Sequence, residues 1–478
     1  MALASTIDWE VRTTGSDSNG GGFDTAKAGT DYSQQDAAQA TGVNLTVDAT
    51  TNTKVTPDGY TPNASTDPGN VIQITTTGGG AAFTTGFYEI TSVTGGEWVL
   101  DRSPAATSSS GAHWSFGGGL ASPGMASGAA VGSNIIYLKS GTYNCSSSDN
   151  VSGGKFTLPG GSSAACTTLV GYSTTRTLTN TDTKPILQSA TSTNNNTICT
   201  TNSDCTVRNI DFENANSDTG CTAISTGANL YVTIENCKIN GYKTGIDFIV
   251  AGGSAVITGC EIILANEANA IGINDGNQCY IGGCYIHGGT SATSNGIVTA
   301  LDCTIDRTII ANITGSTSNG INVGGRNPII TNCTIYNVSQ DGIINTGGTN
   351  QGGLVRDTIV ASCGRYGLNM ITAVDNWRVL NLAGYNNTTA NTNATTTLGA
   401  QNTLALSATP FTNAGSGDFS LNNSAGGGAV VRGAGYPGTY PGGSSVSSPD
   451  IGAVQTASAA PAGPAPAFVA RGDMGFIY

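Results

Sequence analysis

Charged side chains make up only 10% of this 478-residue chain, against about 25% in ordinary soluble domains. A surface this poor in charge does not suit a bundle of solvated helices. The 18 basic residues are outnumbered by 31 acidic ones, for a net charge of −13, and no basic cluster occurs. That excludes a phosphate-binding face and argues against a nucleic-acid partner. Histidine is nearly absent: His113 and His287 are the two copies, no Cys-x2-Cys pair accompanies them, and a zinc site is not expected. No run of about 18 apolar residues occurs, so no helical membrane span is expected. Neither Gly-x-Ser-x-Gly nor His-Glu-x-x-His occurs, which removes the common serine-hydrolase and zincin readings. Residues 1–20 lack a basic segment followed by an apolar one, so no secretory leader is expected. Leucine is scarce, which sets aside a leucine-rich repeat.

What the chain has instead is a phrase repeated seven times between Val207 and Met370. Its clearest copies are Ile234-Glu-Asn-Cys-Lys-Ile239, Ile257-Thr-Gly-Cys-Glu-Ile262, Ile281-Gly-Gly-Cys-Tyr-Ile286 and Ile330-Thr-Asn-Cys-Thr-Ile335. Aligning Phe212, Ile239, Ile262, Ile286, Ile309, Ile335 and Ile359 gives one column with a period of 23 to 27 residues. One phrase per turn of a solenoid follows from that period. Three residues before the column stand Asn209, Asn236, Gly259, Gly283, Asp306, Asn332 and Arg356, mostly types that tolerate a left-handed backbone, so a bend is expected there. Beyond the bend, Ile210, Cys237, Cys260, Cys284 and Cys333 share the inward face of a short strand with the column residue. Val207, Ile234, Ile257, Ile281, Ile330 and Leu354 supply a second apolar column. Gly-Ile or Gly-Leu pairs at Gly245, Gly296, Gly320, Gly342 and Gly367 read as a second bend. Parallel strands stacked at about 4.8 Å would bury each column as a ladder.

This pattern resembles the parallel β-helix of the pectate-lyase-like superfamily, where Asn at a tight bend and stacked Ile and Cys recur. The resemblance implies an all-β fold, a right-handed single-stranded parallel β-helix, and leaves function open. Upstream, Ile135–Tyr143 is similar to the opening coil of such proteins, and residues 118–131 read as a capping helix. Strands at Val71–Thr75, Gly86–Thr91 and Glu97–Asp101 predict a small inserted β-barrel. The expected organisation is therefore a strand and cap segment over 1–34, the barrel over 35–117, the β-helix over 118–455, and a Pro/Ala-rich tail over 456–478. The tail carries an apolar tip, Phe468, Val469, Phe476, Ile477 and Tyr478, expected to dock on its own helix or on a neighbour.

The cysteines recur at the coil period and read as small core fillers that need no oxidant. Cys199 with Cys205, or Cys279 with Cys284, are the pairs a disulfide reading would name, and sequence does not fix connectivity. Two phrases break the pattern, with Arg307 and Asp357 falling at the Cys position. A local bulge that turns these charges outward is favoured over a buried pair across coils.

Asp211, Lys238, Glu261 and Tyr285 stand immediately before the column and face outward, as a weak candidate surface for glycan or as a plain charge ladder. No clustered acids of the glycosidase type occur, and no catalytic residue, metal or cofactor is assigned. Asp17-Ser-Asn-Gly-Gly-Gly22 opens like a calcium loop but lacks its later ligands, and reads as a turn. The wording of Trp9–Gly20 and Pro449–Val454 resembles β-helix proteins encoded by tailed phages. That resemblance implies a non-catalytic structural or host-recognition protein on the virion surface, a head decoration, spike or fibre subunit. Such a subunit would assemble in the host cytoplasm as a homotrimer and contact other virion proteins and host polysaccharide. A polysaccharide lyase or hydrolase, and a bacterial surface adhesin, stand as alternatives.

Overall fold

The computed structural model describes residues 3–76, 83–145, 156–162, 164–176, 183–189, 197–215, 219–226, 231–248, 253–347, 352–370, 377–394, 399–401, 403–436 and 449–455. From Ile135 onward the chain winds as a parallel β-helix with three sheets. The first sheet opens with Ile7–Val11 laid parallel to Ile135–Lys139 and continues through Cys205–Arg208, Val232–Glu235 and Ala255–Thr258. The second runs through Asp211–Glu213, Lys238–Tyr242, Glu261–Leu264, Tyr285–Gly288 and Ile309–Ile313. The third is a ten-stranded sheet from Phe156–Leu158 to Ala390–Ala394.

First and second sheets meet at a single residue per coil. Asn209, Asn236, Gly259, Gly283, Arg307, Asn332, Asp357 and Asn381 all have φ between 47° and 61°. One left-handed residue turns the chain sharply, and Asn, Asp and Gly tolerate it best. Strand register then fixes the inner columns as Phe212, Ile239, Ile262, Ile286, Ile310, Ile335 and Val360 on one side of the bend. On the other side stand Val207, Ile234, Ile257, Ile281, Ile305, Ile330 and Val355. Every one of these side chains is at most 1% exposed.

This register corrects the sequence alignment by one residue in the fifth and seventh coils. Ile309, Ile359 and Leu354 lie out of the interior columns, and Arg307 and Asp357 occupy the bend itself. No bulge intervenes, because pairing runs continuously from Tyr280–Thr304 to Gly282–Asp306 and from Tyr285–Ile309 to His287–Ala311. Thr308 and Thr358 take the place of cysteine after the bend, both 0% exposed. The substitution is chemically coherent. The Thr308 hydroxyl donates to the Asp306 carbonyl at 3.1 Å and that of Thr358 to the Arg356 carbonyl at 3.0 Å, while the Cys260 thiol donates to the Thr258 carbonyl at 3.5 Å. Each is a small donor that satisfies the carbonyl two residues back, just before the left-handed residue. The Arg307 guanidinium projects into solvent and pairs with Asp306 at 2.8 Å. Asp357 is buried but accepts from the Asn381 side chain at 2.9 Å and from the Tyr436 amide at 2.7 Å, so its desolvation is offset.

Four of the Gly-Ile and Gly-Leu pairs are also not bends: Gly245, Gly296, Gly320 and Gly367 lie inside third-sheet strands, while Gly342 does bend, immediately before Ile343. In that sheet Ile246, Ile273, Ile297, Ile321, Ile343 and Leu368 form a buried column. Their glycines answer to close packing. A Cβ on Gly296 would stand 2.7 Å from the Gly320 carbonyl oxygen and 2.7 Å from Ile310 Cγ2. Gly272, one coil earlier, belongs to the same stack. A different left-handed corner precedes the first sheet, at Asp204, Tyr231, Gln278, Asp302 and Asn327.

The twelve cysteines include Cys199, Cys205, Cys279 and Cys284, the pairs named from sequence, and all four are buried thiols without a disulfide. Burial pushes the Cys237, Cys199 and Cys303 thiols well above the ordinary range, so they stay protonated.

Between the opening strand and the first full coil, six strands close a separate barrel in the order Ala40–Val47, Lys54–Thr56, Glu97–Leu100, Gly86–Thr94, Val71–Thr76, Ser110–Phe116. Its core is aromatic: Trp98 and Trp114 meet edge to face at 5.1 Å, and the Trp98 indole N–H donates to Asp67 at 2.7 Å. The short helix Pro123–Ala129 follows, with Ser122 as N-cap and buried Ala126 against the end of the helix core. At the far end, Phe411–Asn413, Asp418–Leu421, Gly428–Val431 and residues 449–455 fold back as a layer over the second sheet.

Candidate binding surface

Parallel register puts Asp211, Lys238, Glu261 and Tyr285 side by side on the outer face of the second sheet. Residues in register on stacked strands lie close enough for opposite charges to pair. The Lys238 ammonium reaches Glu261 at 3.1 Å, and Lys184, which sequence reasoning did not single out, reaches Asp211 at 3.8 Å. His287, two residues past Tyr285 and therefore on the same face, stacks its ring on that tyrosine at 4.2 Å and meets Glu261 at 3.2 Å. Partial burial raises the Asp211 carboxyl, partly offset by Lys184 and Lys238. For Glu261 burial pushes up, but the hydrogen bonds from His287 and Lys238 win and hold it below the usual range. Burial and the Glu261 charge raise the Tyr285 phenol.

The same column continues to Ile309, Thr334 and Ile359, where it turns apolar and is covered. Phe411, Phe419, Leu421 and Ile451 pack over Ile359 and Ala361, with Tyr336 wedged edge-on against Phe411 at 5.8 Å. Tyr285 marks the border, with Phe419 at 6.2 Å on one side and the charge column on the other. The result is a polar strip ending at a step. It presents hydroxyl, imidazole, ammonium and carboxylate groups, with Glu261 and Asp211 each beside a cation.

A second charged cluster was invisible in the sequence because Arg176 lies 166 residues from its main partner, Glu10. Glu10, 0% exposed on the opening strand, accepts from Tyr172 and from Arg176 Nε at 3.1 Å, and Arg12 Nε stands at 3.2 Å. Arg176 also holds Asp31 at 3.1 Å and Asp8 at 3.7 Å while covering the Tyr137 ring at 4.4 Å. Burial raises the Asp8 carboxyl to about 6, with Arg176 opposing. This cluster joins the opening strand, the loop before the barrel and a β-helix coil, and functions as a clasp. Toward the other end, Asp341 is fully buried and bound by Arg365 Nε at 2.9 Å and the Asn369 amide at 2.8 Å.

Other sequence candidates resolve plainly. Asp17 accepts from the Ala121 and Ser122 amides at 3.0 and 2.9 Å, so it ties the N-terminal turn to the capping helix. The open depression beside it is lined by Thr13, Asp17, Ser122, Pro123, Tyr143 and Asn144. Among the described residues no group of three or more His, Cys, Asp or Glu is placed to hold a metal ion, and no helix is long and apolar enough to cross a membrane. The tip residues Phe468, Val469, Phe476, Ile477 and Tyr478 lie outside the described residues.

No family model matches this chain, and no curated protein matches it in sequence. Solved structures with a similar fold include the pectate lyase Pel9A, 16% identical over 70% of this chain and 91% of that one, with a TM-score of 0.48. The catalytic domain of a GH87 α-1,3-glucanase bound to nigerose is 12% identical over 76% of this chain and 89% of its own, with a TM-score of 0.31. ORF18 of Geobacillus virus E2 is 14% identical over 54% of this chain and 55% of its own, with a TM-score of 0.30. Likeness at this level says nothing of substrate or activity.

Proposed function

We propose that this β-helix is a non-catalytic structural subunit on the surface of a tailed-phage particle, assembled as a homotrimer and presenting its outer faces to other virion proteins and to the host. The observation that carries this reading is how the outer carboxylates are used. Glu261 is held by Lys238 and His287, and Asp306 by Arg307, Thr331 and Asn332. A general acid or base needs a carboxyl in reach of substrate and poised near working pH, whereas these acids bind neighbouring coils together. The two segments whose wording is similar to phage-encoded proteins form the clasped opening strand and part of the C-terminal layer.

A second reading, a depolymerase of acidic polysaccharide, is favoured by one feature, the stacked Tyr285–His287 pair beside Glu261. Incubating the protein with host capsule or exopolysaccharide separates the two. The structural reading predicts no new reducing ends and no unsaturated products. Steady release of either, abolished by Glu261→Gln, establishes the enzyme instead.

A further inference from the structure

On two successive coils the third sheet runs out into polar residues that stay buried. Asn274 pairs with Val298, and the Asp275 amide continues that ladder by donating to the Val298 carbonyl at 2.8 Å, so Asp275 lies beside Thr299 of the next coil. Each stands two residues past a fully buried isoleucine, Ile273 or Ile297, and faces inward with it. Asn277 follows at the corner toward the first sheet, bridged to Leu301 of the next coil. Asp275, Asn277 and Thr299 are 3%, 8% and 2% exposed.

Four oxygens of these side chains, both of the Asp275 carboxylate, Asn277 Oδ1 and Thr299 Oγ1, are buried without a hydrogen-bond partner. Asp275 is exceptional in this. Among the described residues every other buried carboxylate has an ion pair or accepts a hydrogen bond. Burial raises the Asp275 carboxyl, and the neighbouring Cys279 and Cys303 thiols and the Asn277 amide oppose that without completing a hydrogen bond. The Cys279 thiol donates instead to the Asn277 carbonyl at 3.5 Å, and burial keeps both thiols protonated, so neither is a charged partner. A proton on Asp275 would serve one oxygen and leave the remaining acceptors as they are.

We propose that Asp275, Asn277 and Thr299 hold one monovalent alkali cation inside the β-helix, beneath the corner between the third and first sheets. Carboxylate, amide carbonyl and hydroxyl are hard oxygen donors, which suit alkali and alkaline-earth ions rather than transition metals. The charge selects between those two classes. One carboxylate neutralises one positive charge, whereas a divalent ion would leave net charge in the core. A bound ion would also join two coils through side chains that otherwise have no bond to each other. This inference does not depend on whether the particle role proposed above is correct.

The direct test is diffraction from wild-type protein unfolded in urea and refolded in rubidium chloride, so that the interior ion exchanges for an anomalous scatterer. The proposal predicts an anomalous peak coordinated by the Asp275 carboxylate, Asn277 Oδ1 and Thr299 Oγ1. A water at that point, or no density, overturns it and leaves Asp275 a protonated acid. Urea unfolding in sodium, potassium or N-methylglucamine chloride at matched ionic strength reads the same site in solution. Above its Kd, each tenfold rise in the bound alkali cation should lower the unfolding constant about tenfold. Asp275→Asn should abolish that dependence, and Thr299→Val should raise the cation concentration at which it begins. A wild-type unfolding constant that is the same in all three salts counts against the proposal equally.

Discussion

Gly296 and Gly259 look alike in sequence, both following a polar residue within the repeat, yet they are glycine for different reasons. Gly296 lies in a third-sheet strand, where an added Cβ would press on a backbone carbonyl and on Ile310, both at 2.7 Å, and on Ile313 Cδ1 at 3.2 Å. The carbonyl belongs to the next coil and cannot rotate away, so Gly296→Ala forces the coils apart. Overpacking of this kind costs about 1–3 kcal/mol. Gly259 has φ of 61° and nothing within 4 Å of its missing Cβ. Asn236 and Asn332 adopt the same conformation at the same corner, so Gly259→Asn should stay within about 0.5 kcal/mol of wild type, as ordinary surface changes do. Guanidinium unfolding followed by circular dichroism compares the two, with equal m-values required. If Gly296→Ala matches wild type, or Gly259→Asn is the more damaging of the pair, the distinction between packing glycines and corner glycines fails.

Ile262 is 1% exposed, so Ile262→Asp removes about 1.5–3 kcal/mol of burial and adds the desolvation of an unpaired carboxylate; insoluble expression is expected, and a soluble variant with unchanged melting temperature contradicts the inward column. Cys260→Ala should fold and lose at most a few kcal/mol, and the wild-type melt should be the same with and without reductant; loss of structure in reductant would show that disulfides hold the coils. Asp8 has a folded pKa of about 6 against an ordinary 3.8, so the folded state holds its proton more tightly. Its contribution is fully present below the ordinary value and is lost as pH rises through about 6, and Asp8→Asn should flatten that segment of the stability–pH profile. An Asp8→Asn profile superimposable on wild type refutes the burial shift assigned to this group.

The solenoid was legible because its core columns repeat a phrase that no helix or alternating strand could use, and Ile234, Ile257, Ile281 and Ile330 lie where that phrase puts them. The one-residue slips at the fifth and seventh coils arose from treating Arg307 and Asp357 as intruders in a cysteine column. Ile305-Asp-Arg-Thr-Ile-Ile310 and Val355-Arg-Asp-Thr-Ile-Val360 keep the six-residue frame, with threonine supplying the donor that cysteine supplies elsewhere. That equivalence was available in the sequence. The glycine stack was not, since the approach of Gly296 to the Gly320 carbonyl exists only once the coils are stacked. On the outer face, the order Asp211, Lys238, Glu261, Tyr285 was readable from the period, but Lys184 and the covering Phe419 come from outside the repeat. The Glu10–Arg176 clasp likewise depends on long-range closure.

The central claim is that the chain is built into a particle surface. Quantitative mass spectrometry of purified particles from the host carrying this gene tests it most directly. The account predicts the chain in every particle at a copy number divisible by three, retained after washing in high salt. Particles that lack it, with the chain recovered free in the lysate, would contradict the account.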